Sequence, residues 1–293
     1  MFKVKLAIRM KIISLVSVVV TTKNEEVNIG RFLESVKNQS YKNIEIIVVD
    51  NFSTDKTMEI AQRYTNKIFS FGPERSNQRN YGAKKSKGQY LVFLDADMEL
   101  TKEVIKDCLQ TVIKSQKQIL VIPETTVGGS FLARIRKFER EMYAYEDNFE
   151  VPRFFKRDIF LKYGGYDPDL TGPEDYDLPF RIKEKYLIGR SNEYVYHHEE
   201  GLTLSKLLTK KFYYAKKGAK YAFKHPKLIW VQGTIIFRKV YLKNWKKFLR
   251  NPVLGISFIF VRFFETIWAV SGFIAAVGLK NFIKILFYSL KAK

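Results

Sequence analysis

The chain has 293 residues, 46% of them hydrophobic and 15% aromatic, with 51 Lys and Arg against 30 Asp and Glu. This length suits one large domain or two small ones, and the apolar content excludes an intrinsically disordered chain. The single cysteine, Cys108, excludes an intramolecular disulfide framework.

The net charge of +21 is unevenly distributed along the chain. Residues 202–293 contain 19 Lys and Arg and one acidic residue, Glu265, a net of +18, so residues 1–201 carry only +3. A basic protein can bind nucleic acid or an anionic membrane, and nucleic acid requires a basic face or groove. Because the charge is concentrated in an apolar C-terminal segment, we predict an anionic membrane as partner and no nucleic acid.

The N-terminal segment has basic residues between Lys3 and Lys11, followed by the apolar run Ile12–Val20. This order imitates a short signal peptide, but two serines interrupt the run and no small-residue cleavage pattern follows it. The run therefore predicts a buried β-strand.

Strand-like and helix-like segments then alternate. The predicted strands are Leu15–Thr21, Ile44–Val49, Lys67–Phe71, Tyr90–Leu94 and Gln118–Pro123. The predicted helices are Glu25–Asn38, Thr54–Tyr64, Pro73–Ser86 and Thr101–Ser115. The strands are continuous apolar runs, which is typical of a sheet covered by helices on both faces. The pattern predicts an α/β fold with a mostly parallel sheet, whose ligands bind beyond the carboxyl ends of the strands.

Polar residues follow three of these strands. The segments are 21–25, 50–55 and Asp95-Ala96-Asp97. Thr22, Asn24 and Ser53 could cap helices, and Asp50 could begin an Asx-turn. Because all three segments would meet at one sheet edge, a binding site is the favoured interpretation.

Asp95 and Asp97 follow a buried strand, and alternation would place both carboxylates on one side. Two carboxylates held close together favour a cation, and oxygen ligands select Mg or Mn. A solvated acidic turn is the alternative.

Arg75 and Arg79 would share a helix face and could bind phosphate, although an exposed polar helix fits them equally well.

Glu174 and Asp175 follow Pro173 in a segment that reads as the start of a helix. They could simply complement the helix dipole, or one of them could be a general base.

His197 and His198 are adjacent, so at most one of them should reach a given metal ion if they lie on a strand. A surface pair of histidines is the alternative.

With these residues in place, the chain resembles the family-2 glycosyltransferases with a GT-A fold over roughly residues 14–200. The matching segments, in the order of the family, are 18–25 (VVVTTKNE), 48–57 (VVDNFSTDKT), 95–97 (DAD), 164–167 (GGYD) and 174–175 (ED). Each motif is weak alone, but the ordered set is specific.

The resemblance implies transfer of a sugar from a nucleotide-sugar, with inversion at the anomeric carbon. It implies a nucleotide-sugar site formed by Thr22, Asn24, Glu25, Asp50, Ser53, Arg79 and Asp95. It implies a divalent metal, Mn or Mg, held by Asp97 and Asp95 with His198 or His197. It makes Asp175, in the Glu174-Asp175 pair, the catalytic base.

Two departures from the family pattern are visible. Asn51 stands where a second carboxylate is common, which weakens any expectation about the nucleotide. The Gln-x-x-Arg-Trp motif of processive polysaccharide synthases is absent from the sequence, which favours addition of single sugars. A polyprenyl-phosphate sugar synthase is the nearest alternative, and a non-catalytic membrane scaffold is a more distant one.

The C-terminal segment, residues 201–293, is predicted to be a membrane-associated domain beside a catalytic domain of residues 1–200. Leu202–Lys224 has the pattern of a basic amphipathic helix, and Ile229–Phe237 is a second apolar patch. Val253–Leu279 is long enough to span a bilayer although it contains two charges, and a span is slightly favoured over a surface helix. The basic residues before it would place the catalytic domain on the cytoplasmic side, beside a lipid-linked acceptor. An ordinary helical subdomain is the alternative.

Overall fold

The computed structural model describes residues 14–146, 149–225 and 239–291. Its strands are β1 (Val16–Thr22), β2 (Ile44–Asp50), β3 (Ile68–Ser70), β4 (Tyr90–Asp95), β5 (Met98–Leu100), β6 (Ile119–Val121), β7 (Glu124–Val127), β8 (Pro152–Lys156), β9 (Ile188–Arg190) and β10 (Val195–His198). Its helices are α1 (Ile29–Lys37), α2 (Thr57–Gln62), α3 (Arg75–Lys85), α4 (Val104–Ser115), α5 (Phe131–Tyr143), α6 (Arg157–Lys162), α7 (Glu174–Ile182), α8 (Leu204–Lys217), α9 (Ala219–Lys224), α10 (Lys239–Lys243), α11 (Trp245–Arg250), α12 (Pro252–Val277) and α13 (Leu279–Lys291).

Seven strands form one sheet in the order β3-β2-β1-β4-β8-β6-β9. The β3–β2, β2–β1, β1–β4 and β6–β9 pairs are parallel, and only β8 runs antiparallel to its neighbours. The predicted α/β fold with a mostly parallel sheet is confirmed. Each strand predicted from an apolar run lies in this sheet.

The two faces of the sheet explain why its strands are continuous apolar runs. Val18 and Val20 of β1 pack into one hydrophobic core with Phe32 of α1, whereas Val19 packs into a second core with Phe160 of α6. Alternate residues of a strand point to opposite faces, so a sheet covered on both sides needs apolar residues at every position.

The N-terminal apolar run begins as predicted, since β1 starts at Val16 and pairs with both β2 and β4. A strand in the middle of the sheet must be buried on both faces, and all seven residues of β1 are buried. The basic residues from Lys3 to Lys11 lie outside the described residues, as does the predicted apolar patch Ile229–Phe237.

The chain divides into two compact units. The first unit comprises 1–125, 151–168 and 175–198, and the second comprises 126–150, 169–174 and 199–293. The first contains the seven-stranded sheet. The second is mainly helical, and it includes α5 as well as the C-terminal helices. A three-stranded sheet has the order β5-β10-β7.

The core of the helical unit is aromatic. The Phe258 ring of α12 lies 5.8 Å from Phe138 of α5 and 5.1 Å from Tyr241 of α10, measured between ring centroids. Leu207 of α8 is buried in the same cluster. The four helices therefore share one hydrophobic core, which makes this unit a packed helical body.

Helix α12 is the one helix, among the described residues, that is long and apolar enough to cross a membrane. Its two charged residues pair as the sequence suggests, since Arg262 Nη1 lies 2.5 Å from Glu265 Oε2. Both side chains are buried within the unit, where Arg262 also contacts Glu139 of α5 at 2.9 Å. Length and composition alone leave open whether this helix spans, because core helices of soluble proteins share them.

Candidate active site

The ends of β1 and β2 are joined by a carboxylate. Thr22 and Asp50 are register partners on these parallel strands, and Thr22 Oγ1 donates to Asp50 Oδ1 at 2.8 Å. Asp50 also accepts from the Ser53 backbone N at 2.7 Å and from Ser53 Oγ at 2.5 Å. These three bonds fix the turn after β2, so the predicted residues Thr22, Asp50 and Ser53 form one cluster.

The loops that follow β1 and β2 also brace each other. The Asn24 backbone N donates to Ser53 Oγ at 2.8 Å, and Asn24 Oδ1 accepts from the Thr54 backbone N at 2.9 Å. The Glu25 backbone N donates to Thr57 Oγ1 at 2.7 Å. Asn24 has a φ of 54°, the left-handed conformation that asparagine tolerates better than most residues. None of the predicted caps caps a helix, since the N-cap positions of α1 and α2 are Asn28 and Lys56, and these side chains brace the loops instead.

Arg79 connects the end of β4 to the start of α7. Its Nη2 lies 2.9 Å from Asp95 Oδ1, and its Nη1 lies 2.8 Å from Asp175 Oδ1. The Arg79 side chain is 1% exposed, whereas those of Asp95 and Asp175 are 18% and 20% exposed. A buried guanidinium therefore holds two carboxylates that reach the surface.

The Gly164-Gly165-Tyr166 motif packs against Arg79 and its neighbour Asn80. The Tyr166 ring is buried, and the Arg79 guanidinium carbon lies 5.4 Å from its centroid. Asn80, next to Arg79, accepts from the Tyr166 backbone N at 2.9 Å and donates to its carbonyl at 2.7 Å. Gly165 has a φ of 72°, and a Cβ there would lie 2.3 Å from Asn80 Oδ1, so this close approach requires glycine.

Three arginines surround Asp95. Besides Arg79, Arg75 Nη1 lies 3.5 Å and Arg153 Nη1 lies 4.0 Å from Asp95 Oδ2. Burial alone would raise the pKa of Asp95, but the three guanidinium groups hold it well below its usual range. Asp95 is therefore an ionised carboxylate neutralised by arginines.

Arg153 is a site residue that sequence reasoning missed. It lies in β8, is 7% exposed, and its Nε donates to Glu124 Oε1 at 2.6 Å. Burial would lower the pKa of Arg153, but Glu124 and Asp95 together raise it. The sequence signal for this residue is an arginine directly before the apolar pair Phe154-Phe155. An arginine in a buried strand predicts a carboxylate partner, because a buried charge has to be paired.

Asp97 and Asp95 have different partners. Asp97 Oδ2 lies 3.1 Å from His197 Nε2, and His197 Nδ1 lies 3.3 Å from Glu124 Oε2. His198 Nε2 instead lies 2.7 Å from Glu99 Oε2. Adjacent strand residues face opposite ways, so the His197 ring meets the Asp97 carboxylate, while the backbone N of His198 donates to the Asp97 carbonyl at 2.8 Å. The sequence named His198 and left His197 open, and the structure brings the His197 ring to the Asp97 carboxylate.

Asp97 and His197 fit the coordination of a divalent metal ion better than Asp95 does. Within 14–146, 149–225 and 239–291, no group of three or more His, Cys, Asp or Glu is arranged as a metal site. Asp97 and His197 are an oxygen and a nitrogen donor of the kinds that Mn binds, and they fit a site that substrate oxygens and water would complete. Asp95 fits poorly, because its oxygens face guanidinium groups.

Glu174 and Asp175 form the first turn of α7, as predicted, and their environments differ. Glu174 is 1% exposed, whereas a fifth of the Asp175 side chain is exposed. Later in the helix, Arg181 Nε donates to Asp177 Oδ2 at 2.7 Å, the pair expected from their spacing. Of the two acids, Asp175 is the one that a solute can reach.

Residues 17–168 match the model of Glycosyl transferase family 2, which is more than half of the chain. The poly(ribitol-phosphate) β-N-acetylglucosaminyltransferase TarS of Staphylococcus aureus is 32% identical over 124 residues, 39% of this chain and 21% of TarS. The GalNAc(5)-diNAcBac-PP-undecaprenol β-1,3-glucosyltransferase of Campylobacter jejuni is 31% identical over 104 residues, 32% of this chain and 33% of that protein. The chain thus spans only a fifth to a third of these two relatives.

Solved structures share the fold. TarS residues 1–349 in complex with UDP-GlcNAc align with a TM-score of 0.52 and 20% identity, over 69% of this chain and 66% of that one. The mannosyltransferase PcManGT of Pyrobaculum calidifontis, in complex with GDP-Man and Mn²⁺, aligns with a TM-score of 0.56 and 15% identity, over 99% and 90%. At these identities the alignments show the GT-A fold alone.

Proposed function

Since this chain belongs to glycosyl transferase family 2, we propose that it moves a single sugar from a nucleotide-sugar to a hydroxyl acceptor with inversion at the anomeric carbon. The observation that carries the proposal is the position of Asp175, a partly exposed carboxylate fixed by a buried arginine. A general base must be held within hydrogen-bond reach of the proton it removes.

Asp175 is the proposed base. Arg79 holds its Oδ1, so the carboxylate keeps one orientation, and Oδ2 would accept the proton of the acceptor hydroxyl. As the proton leaves, the acceptor oxygen attacks the anomeric carbon from the face opposite the nucleotide. The bond from that carbon to the diphosphate oxygen breaks, the nucleoside diphosphate departs, and the configuration is inverted. Glu174 is nearly fully buried, so we assign the base to Asp175 alone.

The cluster at the ends of β1 and β2 is the proposed nucleoside site. Thr22, Asn24, Glu25, Asp50 and Ser53 would form it, as the family resemblance implies. Their mutual hydrogen bonds pre-form the loops, so little conformational freedom would be lost when the donor binds. Asp95 would border the ribose at the end of β4.

The donor diphosphate needs positive charge. Arg75 is the better candidate, because its side chain is 35% exposed and lies 3.5 Å from Asp95, whereas Arg79 is 1% exposed and occupied by two carboxylates. We therefore place Arg75 on the diphosphate and give Arg79 a positioning role.

A divalent metal is the proposed cofactor, and Asp97 with His197 would hold it. When bound, a metal offsets the negative charge that develops on the departing nucleoside diphosphate. Glu124 accepts from the other ring nitrogen of His197 in the tautomer that carries its proton on Nδ1, and thereby orients the imidazole.

A lipid-linked glycan at the cytoplasmic side of the membrane is the proposed acceptor. The strong positive charge of residues 202–293 and the apolar helix α12 support membrane association. The Campylobacter relative is named for an undecaprenol-linked substrate, which is consistent with this class. A polyprenyl-phosphate acceptor would already be an anion and would need no base, so the fixed Asp175 favours a hydroxyl.

The test is a panel of nucleotide-sugars incubated with the full chain, Mn or Mg and a membrane extract, followed by mass spectrometry of the lipid fraction. We expect one donor to add one sugar mass to a lipid-linked glycan, and Asp175→Asn to abolish the product. Addition of the sugar directly to polyprenyl phosphate would instead establish the alternative. Donor turnover by Asp175→Asn at the wild-type rate would refute the assignment of the base.

A further inference from the structure

Helix α12 has two different faces. Its buried residues recur at helical spacing and form one stripe along the helix, comprising Gly255, Phe258, Val261, Arg262, Glu265 and Gly272. The opposite stripe is apolar and exposed, comprising Val253, Ile256, Phe260, Phe263 and Ile267, which are 67%, 71%, 61%, 49% and 44% exposed. The helix is therefore amphipathic in an unusual sense, since its charged pair faces protein and its apolar side chains face outwards.

The buried stripe contacts protein along most of its length. A Cβ on Gly255 would lie 2.8 Å from the Phe248 ring, and a Cβ on Gly272 would lie 2.3 Å from the Phe212 carbonyl oxygen. Between them, Glu265 lies 3.4 Å from Lys211 Nζ. These contacts extend over about 25 Å of helix, close to the thickness of a bilayer's hydrocarbon core.

The helices on which α12 packs are too polar to enter a bilayer. In α8 the basic residues are Lys206, Lys210, Lys211, Lys216 and Lys217, with no acidic residue in the helix. Helix α5 contributes Glu139 and Arg136 to the charged cluster around Arg262 and Glu265. If α12 spanned the membrane in this fold, both helices would be drawn into hydrocarbon, where charged side chains are expensive.

The two short helices before α12, α10 and α11, also expose apolar residues. Leu242, Trp245 and Leu249 are exposed there, 75%, 52% and 68% respectively. Lys243, Lys246 and Arg250 alternate with them and are exposed as well. Apolar and aromatic residues interleaved with basic ones are the composition of segments that lie on anionic lipid.

We propose that α12 lies in the plane of an anionic lipid surface, with its exposed apolar stripe in the acyl–headgroup boundary and its charged stripe docked on α5 and α8. The inference rests on the membrane association in the proposed function and specifies its geometry. The partner is the lipid surface itself, selected by the basic residues of α10 and α11, and the chain enters one leaflet only. The sequence slightly favoured a span, and this proposal takes its alternative, the surface helix.

Cysteine labelling tests the geometry. The native Cys108 is fully buried, and burial raises the pKa of its thiol, so it should stay unlabelled in the folded full chain. Leu249→Cys and Leu279→Cys mark the two ends of α12, and Ile256→Cys and Phe263→Cys mark its exposed stripe. Glu59→Cys, on the surface of the other unit, is the matched control. The variants are added to preformed vesicles of phosphatidylglycerol and phosphatidylcholine.

We expect a membrane-impermeant maleimide to label both end positions on intact vesicles without detergent, because both ends stay on the outer side of the bilayer. Fluorophores on Ile256→Cys and on Phe263→Cys should be quenched to the same extent as each other. Both should be quenched more by lipids spin-labelled near the headgroup than by lipids spin-labelled near the end of the acyl chain. Protection of one end position until detergent is added would establish a span and overturn the proposal. Stripe fluorescence unchanged by vesicles would show that the stripe does not bind lipid, which also overturns it.

This outcome is separable from that of the proposed function. The fraction of protein bound to vesicles of phosphatidylcholine alone should be at least about 10-fold lower than the fraction bound to vesicles that contain phosphatidylglycerol, because the basic residues then lose their anionic partner. None of these readouts depends on sugar transfer. An inactive protein that shows the in-plane pattern would leave this inference standing while the enzymatic proposal failed.

Discussion

Arg79 Nη1 lies 2.8 Å from Asp175 Oδ1, so a residue of α3 holds a carboxylate that is 96 positions away in the sequence. The same guanidinium holds Asp95 through its other terminal nitrogen. A bridge with one terminal nitrogen on each carboxylate suits arginine, because lysine carries the charge without the planar fork. The proposed base therefore owes its orientation to one buried side chain, and this relationship leads to the first predictions.

Asp175→Asn should lower kcat by about 10²–10⁴-fold, the usual contribution of a positioned general base. The amide can still accept a hydrogen bond from Arg79, so the unfolding temperature should change little. Steady-state transfer and thermal unfolding measure the two effects. Asp169→Asn, an acid whose side chain is 73% exposed, is the matched control and should remain fully active.

Replacement of Arg79 should affect kcat more than the KM for the donor. Arg79→Lys keeps a charge and should retain more activity than Arg79→Ala. The alanine variant should also lose up to about 3 kcal/mol in the free energy of unfolding, because it leaves two carboxylates without their buried partner. Arg75→Lys is the comparison and should raise the donor KM instead. The reverse pattern, with KM raised mainly by Arg79→Lys, would place Arg79 on the diphosphate.

The two adjacent histidines should differ in metal dependence. His197→Ala should raise the Mn concentration needed for half-maximal transfer at least about 10-fold, since a direct ligand or its orienting partner is lost. His198→Ala should leave that concentration unchanged, because the His198 imidazole contacts Glu99, while its 2.8 Å contact with the Asp97 carbonyl runs through the backbone, which alanine keeps. Titration of activity with Mn after chelation measures both. A larger effect of His198→Ala would instead assign the metal to His198, the other histidine that the sequence allows.

Loss of the strand-end hydrogen bond should weaken donor binding modestly. Thr22→Val is nearly isosteric and removes the bond to Asp50, which contributes about 1 kcal/mol to the free energy of unfolding, so the donor KM should rise by at most about 5-fold if the site depends on this bond. Thr54→Val is the control, because the Thr54 hydroxyl makes only a 3.5 Å contact with Asn24. Equal KM values for the two variants would show that the Thr22–Asp50 bond does not shape the donor site.

Acid should destabilise the protein partly through Asp95. Burial opposes ionisation, but Arg79, Arg75 and Arg153 together lower the pKa of Asp95 in the folded state below its unfolded value. Its contribution to stability is therefore complete above the unfolded value of about 3.9 and is lost as the pH falls towards the folded value. Denaturant unfolding between pH 7 and pH 3 should show a smaller acid-induced loss for Asp95→Asn than for the wild type. Parallel curves for the two proteins would contradict this linkage.

The sequence alone determined the sheet and the edge at which the site lies. Continuous apolar runs such as Tyr90–Leu94 mark doubly covered strands, because burial of both faces removes the need for polar positions. The segments after β1, β2 and β4 were identified as polar strand ends, and a parallel sheet gathers such ends at one edge. These features depend on neighbours in the chain, which is why a local pattern suffices to predict them.

Only the tertiary structure decided the partners of the charged residues. The Arg79–Asp175 and Asp97–His197 pairs join positions 96 and 100 residues apart, and strand order and register determine which side chains meet. Arg153 and Glu124 were invisible to motif reasoning for the same reason. The charges of α12 posed the same problem: composition showed an apolar helix with Arg262 and Glu265, and packing on α5 and α8 determined that those charges face protein. Long-range contacts set the chemistry, because a side chain's environment comes from the elements packed around it rather than from its sequence neighbours.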